Sequence, residues 1–420
     1  MSAAPASERR SFETAMSPRL LAGLRSHRAS VSLEDHLRLH GPLPAVSGRH
    51  ERRDLIALVE EAGLTGRGGA AFPTARKLAA VSGRKQPVVV ANGTEGEPAS
   101  GKDKVLLVYT PHLVIDGAVL AARAVGAREA IIATTSATAD VSLARALGER
   151  RDRGVSIRRV RVPASFVVGE ETALVQYLNG GPPLPTFTPP RPFERGVRGA
   201  PTLVQNVETL AHLALIARHG SEWFREIGTP AEPGSALVTI SGAVRAPGVH
   251  EIPIGLPLSS LLELAGGITE EPQAFLVGGY FGTWVAAADA VGLRLANADV
   301  PLGARAIVAL GHGACGIAET AAAARYLADE SAGQCGPCVH GLAAVADDLE
   351  RLTGRDRVDA GRLRNRLALI AGRGACRHPD GAVKFVASAL DVFSAELERH
   401  LGGRGCTRRA HVLPLPHPAR

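Results

Sequence analysis

Aromatic residues and lysine are the scarce side chains of this 420-residue chain. Phe, Trp and Tyr together make up 4% of the residues, and only five of the 48 basic Lys and Arg residues are lysines. Single-stranded nucleic acids are bound where basic side chains alternate with aromatic rings on which bases stack, and no segment of that kind is present. The basic residues are scattered along the chain rather than clustered in a patch. We therefore expect no nucleic-acid partner.

Long apolar runs and a dense set of cysteines are also missing. No run approaches the ~20 apolar residues that would span a bilayer, and residues 1–16 lack the apolar core of a signal peptide. Five cysteines in so long a chain suit a reducing compartment and metal ligation better than a disulfide framework. We expect a cytoplasmic protein that does not itself span a membrane. Its net charge of +7 would help it to dock an acidic electron carrier.

Three of the cysteines form a pattern typical of metal ligands. Cys335 and Cys338 are separated by Gly-Pro, and Cys376 follows at a distance. Thiolates in this arrangement suit an iron–sulfur cluster, which normally takes four. The pair alone is also compatible with half a zinc site completed by His340 and His378, or with a redox dithiol.

The fourth ligand of such a cluster is not evident. Cys315 precedes a predicted helix over 317–329, and about 15 helical residues at ~1.5 Å each hold it some 20 Å from Cys335. Cys406 lies in a tail rich in Gly and Arg, which would have to fold back for Cys406 to be the fourth ligand. Water or Ser331 on one iron, a three-iron cluster, and no cluster at all remain the alternatives.

The order of predicted elements favours an α/β fold. Predicted strands at 87–92, 130–135 and 155–162 alternate with predicted helices at 54–62, 113–125 and 142–150, as in a parallel sheet. A predicted helix over 205–218 follows a proline-rich stretch. From about residue 236 the pattern changes to a small α+β module, with predicted strands at 236–244 and 274–279 and a predicted helix at 258–264. Residues 317–401 are mainly helical.

These patterns predict five segments along the chain. They are an N-terminal arm (1–52), an α/β domain (53–230), the α+β module (235–312), a helical cysteine-bearing domain (316–402) and a tail (403–420).

Two segments of the α/β domain have the composition of ligand-binding loops. Residues 66–77 combine glycines with Arg67 and Lys77, so backbone N–H groups and two cations can face an anion. Residues 92–103 follow a predicted strand, where open α/β sheets bind ligands, and carry Asn, Thr and Glu side chains. Each segment taken alone could also be an ordinary surface turn. Residues 169–174 and 201–209 look like helix starts.

In this order the segments resemble the NADH-binding flavoprotein subunit of respiratory complex I and its relatives in NAD-linked hydrogenases and formate dehydrogenases. That family carries GRGGAGFPTGxKW, NxDExEPGTxKD, GEETAL, PTxVNNVETL and ESCGxCxPC with a distant cysteine. The resemblance covers roughly residues 54–395. It implies an FMN-binding Rossmann-like α/β domain, a β-grasp insert of the soluble-ligand-binding type and a C-terminal helical iron–sulfur domain.

The resemblance also assigns candidate site residues. FMN or the nicotinamide dinucleotide would be contacted by Gly66, Arg67, Gly68, Gly69, Phe72, Lys77, Asn92, Thr94, Gly169, Glu170, Glu171, Val204, Gln205, Asn206 and Thr209. Glu95, Glu97 and Glu171 are the candidate catalytic carboxylates. Cys335, Cys338 and Cys376 would bind the iron of a 4Fe-4S or 3Fe-4S cluster.

Several positions depart from the family pattern. Thr94 stands where the family has Asp, Gln205 where it has Asn, and Ala71 and Ala99 where it has Gly. Leu78, Ala80 and Arg191 replace aromatic residues, and Thr188 replaces a lysine. Ala332 stands at the position of the first cluster cysteine. The flavin pocket is mostly retained, the adenine site is eroded, and the cluster lacks one cysteine.

The first functional hypothesis is an FMN-dependent oxidoreductase that takes hydride from NAD(P)H. It would pass single electrons through a three-cysteine cluster to a ferredoxin-like or other redox subunit, with docking on a membrane complex left open. The alternative is a flavin-binding scaffold subunit that has lost NADH turnover, the cluster, or both.

Overall fold

The computed structural model describes residues 18–24, 30–151, 154–354, 356, 358–404 and 411–416. The α/β part contains strands β1 (Val88–Gly93), β2 (Glu129–Thr134), β3 (Ser156–Arg161) and β4 (Thr202–Asn206). Its helices are α1 (Leu33–His40), α2 (Arg49–Ala62), α3 (Thr74–Val81), α4 (Lys102–Tyr109), α5 (Pro111–Val125), α6 (Ala137–Gly148), α7 (Glu171–Leu178) and α8 (Val207–Arg225).

The four strands form a parallel sheet in the order β3-β2-β1-β4. Val90 pairs with Ile131 on one side and with Val204 on the other. The predicted parallel α/β fold is therefore confirmed. Helices α5 and α8 pack closely because Gly117 has no side chain, and a Cβ there would lie 2.0 Å from the Leu210 carbonyl oxygen.

The predicted helix over 205–218 is wrong at its start. Gln205 and Asn206 end β4, and α8 begins at Val207. Backbone pairing with β1 holds these residues extended, while the Asn206 side chain accepts a hydrogen bond from the Glu208 N–H and caps α8.

The β-grasp module contains a second, mixed sheet in the order β6-β5-β9-β7-β8. Its strands are β5 (Ser235–Gly242), β6 (Gly248–Pro253), β7 (Pro272–Val277), β8 (Thr283–Ala286) and β9 (Ala306–Gly311), with α9 (Leu258–Leu264) packed against them. Strands β6, β8 and β9 were not predicted. Only β5 and β9 pair in parallel, while the other neighbours are antiparallel.

The C-terminal part is helical, as predicted. It contains α10 (Gly316–Asp329), α11 (Ala343–Thr353), α12 (Ala360–Ile370), α13 (His378–Val392) and α14 (Ser394–Leu401), with a π-helical turn at Pro337–Leu342. Leu327, Leu349, Leu363 and Phe385 form its core. Among the described residues, no single helix is both long and apolar enough to cross a membrane. Helices α4 and α5 together meet that criterion by length and composition, but they are bent by 97° relative to each other.

Candidate functional site

The carboxyl ends of β1 and β4 bring two predicted site residues together. Asn92 and Asn206 are partners in the parallel register. The Asn92 side-chain amide donates to the Gly169 carbonyl at 2.9 Å, so the segment that starts α7 lies against the end of β1. Thr94 donates to the Asn92 side-chain oxygen at 2.5 Å. Asn92, Thr94, Gly169 and Asn206 therefore share the edge of the sheet at which open α/β folds bind ligands.

The glycine-rich loop lies across the N-terminus of α8. The Arg67 N–H donates to the Thr209 hydroxyl at 2.8 Å, and a Cβ on Gly68 would lie 3.2 Å from the Asn206 Cβ. No described residue accepts a hydrogen bond from the N–H groups of residues 68 to 71. Free backbone donors beside a helix N-terminus are the chemistry that binds phosphate. The loop therefore fits the phosphate of FMN.

Lys77 lies at the other side of this loop, on α3. Its ammonium group is 3.2 Å from the Glu171 carboxylate and 3.3 Å from the Val204 carbonyl oxygen. Lys77 and Glu171 are each about one-third exposed, so their charges remain accessible to a ligand.

Two other predicted site residues are engaged within the protein. Glu170 accepts hydrogen bonds from the N–H groups of Thr172 and Ala173 and caps α7. Gln205 is buried, and its side chain donates to the Thr74 hydroxyl at 3.1 Å.

Glu95 and Glu97 are held by donors of the protein itself. Glu95 accepts from the Ser100 hydroxyl at 2.5 Å and from the Asp103 N–H at 3.2 Å. Glu97 accepts from the N–H groups of Ala99 and Tyr280, and Tyr280 belongs to the β-grasp module. Burial raises the pKa of each carboxyl to about 7, although these donors oppose the shift. Both groups can therefore exchange a proton near neutral pH.

A buried charged cluster beneath the loop was missed by the sequence analysis. The Lys102 ammonium group lies 2.7 Å from the Asp103 carboxylate and 3.0 Å from the Glu208 carboxylate, and Asp103 accepts a 2.7 Å hydrogen bond from Asn206. All three charged side chains are less than 8% exposed. Burial opposes the charge of Lys102, but the carboxylates outweigh it and raise the pKa of Lys102. In the sequence, only the scarcity of lysine pointed to Lys102.

Phe72, the residue implied in dinucleotide stacking, lies on the surface of the loop. Its side chain is 45% exposed, while its carbonyl oxygen accepts the Gly66 N–H at 2.8 Å. The ring is therefore free to stack on a ligand. Of the positions where the family has aromatics, Leu78 is buried and Arg191 is exposed.

The three predicted cluster cysteines line one cavity. Its wall consists of Pro185, Thr186, Phe187, Ala332, Gln334, Cys335, Cys338, Ala375 and Cys376. Cys376 thus lies beside Cys335 and Cys338, although it follows Cys338 by 38 positions in the chain. Ala332 is on the same wall. This is the arrangement expected of a cluster site with one missing thiolate.

Backbone N–H groups lie near the sulfur atoms. Those of Ala375 and Cys338 favour the thiolate of Cys335, that of Gly333 the thiolate of Cys338, and that of His378 the thiolate of Cys376. For Cys335 these donors outweigh burial and lower the pKa of the thiol, whereas burial raises the pKa of Cys338 to about 12. Backbone N–H groups close to sulfur are a usual feature of iron–sulfur sites, and three cysteines share one cavity, so the residues present fit a cluster.

The zinc alternative finds no support in the described part of the chain. There, no group of three or more His, Cys, Asp or Glu side chains is arranged to hold one metal ion. His340 is exposed, and the His378 ring nitrogen Nε2 lies 2.7 Å from the Leu327 carbonyl oxygen. A cluster, in which each cysteine binds a different iron, does not require such a group.

The other candidate fourth ligands are Cys315, Ser331 and Cys406. Cys315 is buried directly before α10, with its sulfur 3.4 Å from His400 Nε2, and the 14 residues of that helix separate it from the Cys335 loop. Its exclusion as a ligand stays a prediction. Ser331 is not among the residues of the cavity wall, where Gln334 lies, and its role as a ligand stays a prediction. Cys406 falls outside the described residues.

Comparison with known proteins agrees with this geometry. Residues 59–215 match the Nuo51 FMN-binding domain, residues 237–279 the SLBB domain, and residues 310–400 the NADH-ubiquinone oxidoreductase-F iron-sulfur binding region. The F 2 subunit of NADH-quinone oxidoreductase of Rhizobium meliloti (strain 1021) is 32% identical over 384 residues, covering 86% of this chain and 91% of the relative. The F subunit of the Streptomyces coelicolor enzyme is 33% identical and covers 84% of each chain.

NAD-reducing hydrogenases are also similar. The HoxS subunit alpha of Cupriavidus necator is 32% identical over 297 residues, which cover 64% of this chain and 49% of that subunit. A crystal structure of NAD+-reducing [NiFe]-hydrogenase in the H2-reduced state aligns with a TM-score of 0.79 and 31% identity. That alignment covers 84% of this chain and 63% of the hydrogenase chain.

An FMN-type α/β domain, an SLBB module and a cysteine-bearing helical region define a class of flavoprotein electron-transfer subunits. The chain belongs to the family of the NADH-quinone oxidoreductase F subunits. The predicted resemblance is thereby confirmed, as are FMN, a nicotinamide dinucleotide and an iron–sulfur cluster as the cofactors of this family. The roles of individual residues remain predictions.

Proposed function

We propose that the protein is itself an active subunit that takes hydride from NAD(P)H at FMN and passes single electrons through a three-cysteine cluster to a redox partner. The observation that carries this proposal is the common cavity of Cys335, Cys338 and Cys376. A chain that had lost electron transfer altogether would have no reason to keep three converging thiols of this kind.

Bound FMN would supply the conversion between a two-electron hydride and single electrons. The N–H groups of residues 68 to 71 and Lys77 would bind its phosphate, and Asn92 and Asn206 would orient its polar groups. Phe72 would stack against the donor. Glu95 and Glu97, with pKa values of about 7, would hold or release a proton at their carboxylate oxygens.

The cluster would be held by three thiolates and would have one iron without a cysteine. Ala332 presents only a methyl group to the cavity, so that iron would bind water or an exogenous ligand. A cytoplasmic location would keep the thiols reduced.

We further propose a ferredoxin-like protein or an equivalent redox subunit as the partner. The net charge of +7 favours an acidic carrier, and the curated relatives are named as subunits.

The direct test is the anaerobic addition of NADH or NADPH to the FMN-loaded protein while flavin absorbance is followed. Rapid bleaching supports the proposal. If the protein binds FMN but neither donor bleaches the flavin, the result supports a second candidate function, that of a flavin-binding scaffold. The eroded adenine site and the missing cysteine at Ala332 favour this candidate.

Cys338→Ser provides the matched control. It removes a proposed iron ligand but lies outside the proposed flavin site, so bleaching should persist in this variant while electron transfer to an added ferredoxin is lost. Equal loss of both steps would contradict the assignment of separate flavin and cluster sites.

A further inference from the structure

The β-grasp module reaches the glycine-rich loop directly. The turn before β9 lies against it, since a Cβ on Gly69 would be 3.3 Å from the Gly303 carbonyl oxygen. Two residues further on, Arg305 Nη1 donates a 2.6 Å hydrogen bond to the Arg67 carbonyl oxygen. A side chain of one domain thus holds the backbone of the loop proposed to bind FMN in the other.

Arg305 is an unusual residue in this position. Its side chain is only 2% exposed, and it forms no ion pair with a carboxylate of the described residues. A buried cation without a paired anion costs free energy. Its backbone φ is +54°, which is unfavourable for any residue except glycine. Strain of this kind tends to persist at functional sites, where the surrounding structure enforces it.

The hydrogen bond to Arg67 has a geometric consequence for the next residue. The Arg67 carbonyl and the Gly68 N–H belong to one planar trans peptide group, in which they point in opposite directions. When Arg305 fixes the carbonyl toward the β-grasp module, the Gly68 N–H is directed away from that module. Gly68 lies over Asn206 at the start of α8, and no described residue accepts a hydrogen bond from its N–H, so this donor is available to a ligand there.

We infer that Arg305 is a positioning residue that presents the backbone donors of the glycine-rich loop to FMN. The inference rests on the proposed FMN site but assigns to the β-grasp module a direct part in it. Two further hydrogen bonds keep the module in register with the flavin domain. They run from the Gly101 N–H to the Thr239 hydroxyl at 3.0 Å and from the Leu237 N–H to the Glu208 carboxylate at 2.9 Å.

The test uses the full chain and compares FMN dissociation constants by flavin fluorescence. Arg305→Gly removes the side chain while relieving the positive φ, and Arg305→Met removes the donors while keeping most of the volume. Each should raise the Kd for FMN about tenfold or more, the loss expected for one hydrogen bond to a charged donor. Arg305→Lys keeps a donor and should restore part of the affinity. Arg294→Ala, an exposed arginine of the same module, should have no effect.

Melting temperatures of the FMN-free variants separate positioning from general instability. A raised Kd in Arg305→Gly or Arg305→Met with a melting temperature close to that of the unmodified protein supports the inference. FMN binding within twofold of the unmodified protein in either variant overturns it, and if one variant does not fold, the other decides. Failure of the unmodified protein to bind FMN would reject the proposed function itself.

Discussion

The backbone N–H of Tyr280 donates a 2.8 Å hydrogen bond to the carboxylate of Glu97. Glu97 belongs to the acidic segment that follows β1, and Tyr280 lies 183 positions later in the β-grasp module. Glu97 also packs tightly against the residue before Tyr280, because a Cβ on Gly279 would lie 2.5 Å from the Glu97 carboxylate. A candidate catalytic carboxylate is therefore also a contact between two domains, and its protonation should affect the stability of both.

The first prediction concerns pH. Burial raises the pKa of Glu97 from 4.5 to about 7 in the folded protein, so the folded state binds this proton more tightly than the unfolded state. The associated stability is present below about pH 4.5 and is lost as the pH rises through 7. Glu97→Gln cannot ionise. The free energy of unfolding of the unmodified protein, relative to Glu97→Gln, should fall between about pH 5 and about pH 8 in urea titrations. A constant difference would contradict the raised pKa.

The second prediction concerns Ala71, which stands where the family has glycine. Its φ is +48°, a conformation that costs an alanine ~1–2 kcal/mol. Glycine avoids this cost, but its greater conformational freedom in the unfolded chain offsets part of the gain in stability. Ala71→Gly should therefore raise the free energy of unfolding by about 1 kcal/mol. Ala70→Gly is the control, because Ala70 is not in the positive-φ region and should gain nothing. Equal effects of the two substitutions would show that φ is not the cause.

The third prediction tests the proposed phosphate loop. A Cβ on Gly68 would lie 3.2 Å from the Asn206 Cβ, so the branched side chain of Gly68→Val would displace the loop from the start of α8 and abolish FMN retention. Gly248→Val is a suitable control, since no atom lies within 4 Å of an added Cβ there and valine suits a strand. FMN content after gel filtration measures the effect. Full FMN occupancy in Gly68→Val would reject the assignment of this loop.

The fourth prediction concerns the cluster. Ala332→Cys adds a thiol to the wall of the cysteine cavity and should increase iron per chain and resistance to oxygen, because a fourth thiolate completes the ligand set. Cys338→Ser should lose most of the iron. Iron analysis and EPR of anaerobically purified protein provide the measurement.

Cys315→Ser is the control for that series. Its sulfur contacts His400 rather than the cavity, so iron content should stay unchanged. Iron loss as large as that of Cys338→Ser would overturn the separation of Cys315 from the cluster.

The fifth prediction concerns the electron donor. Ala80 and Arg191 stand where the family has aromatic residues, and each missing stacking contact is worth about 0.5–1.5 kcal/mol. NADH should bind about tenfold or more weakly than to a relative with both rings. Arg191 is exposed, and its backbone N–H donates to the Glu194 carboxylate at 2.8 Å. Its guanidinium group can therefore reach a ligand and pair with a 2′-phosphate. A preference for NADPH that Arg191→Ala abolishes would confirm the pairing, whereas tight NADH-selective binding would refute the loss of the adenine site.

The sequence alone was sufficient to predict the parallel sheet, the helical C-terminal part and the family. Alternating strand and helix periods, the ordered motifs and the spacing of Cys335, Cys338 and Cys376 are all local features that can be read along the chain. The distance argument against Cys315 needed only the length of one helix. The departures at Ala71, Ala80 and Ala332 were also visible, because they fall within motifs.

Only the tertiary structure could show which of these residues meet. Strand β4 is short and pairs through its backbone with β1, more than 100 residues earlier, so its own side chains gave no clear sign of a strand. The contacts of Arg305 with Arg67 and of Tyr280 with Glu97 join positions separated by 238 and 183 residues. No local pattern encodes such pairs, because they arise when burial brings two separate sheets together and their polar groups form hydrogen bonds with one another.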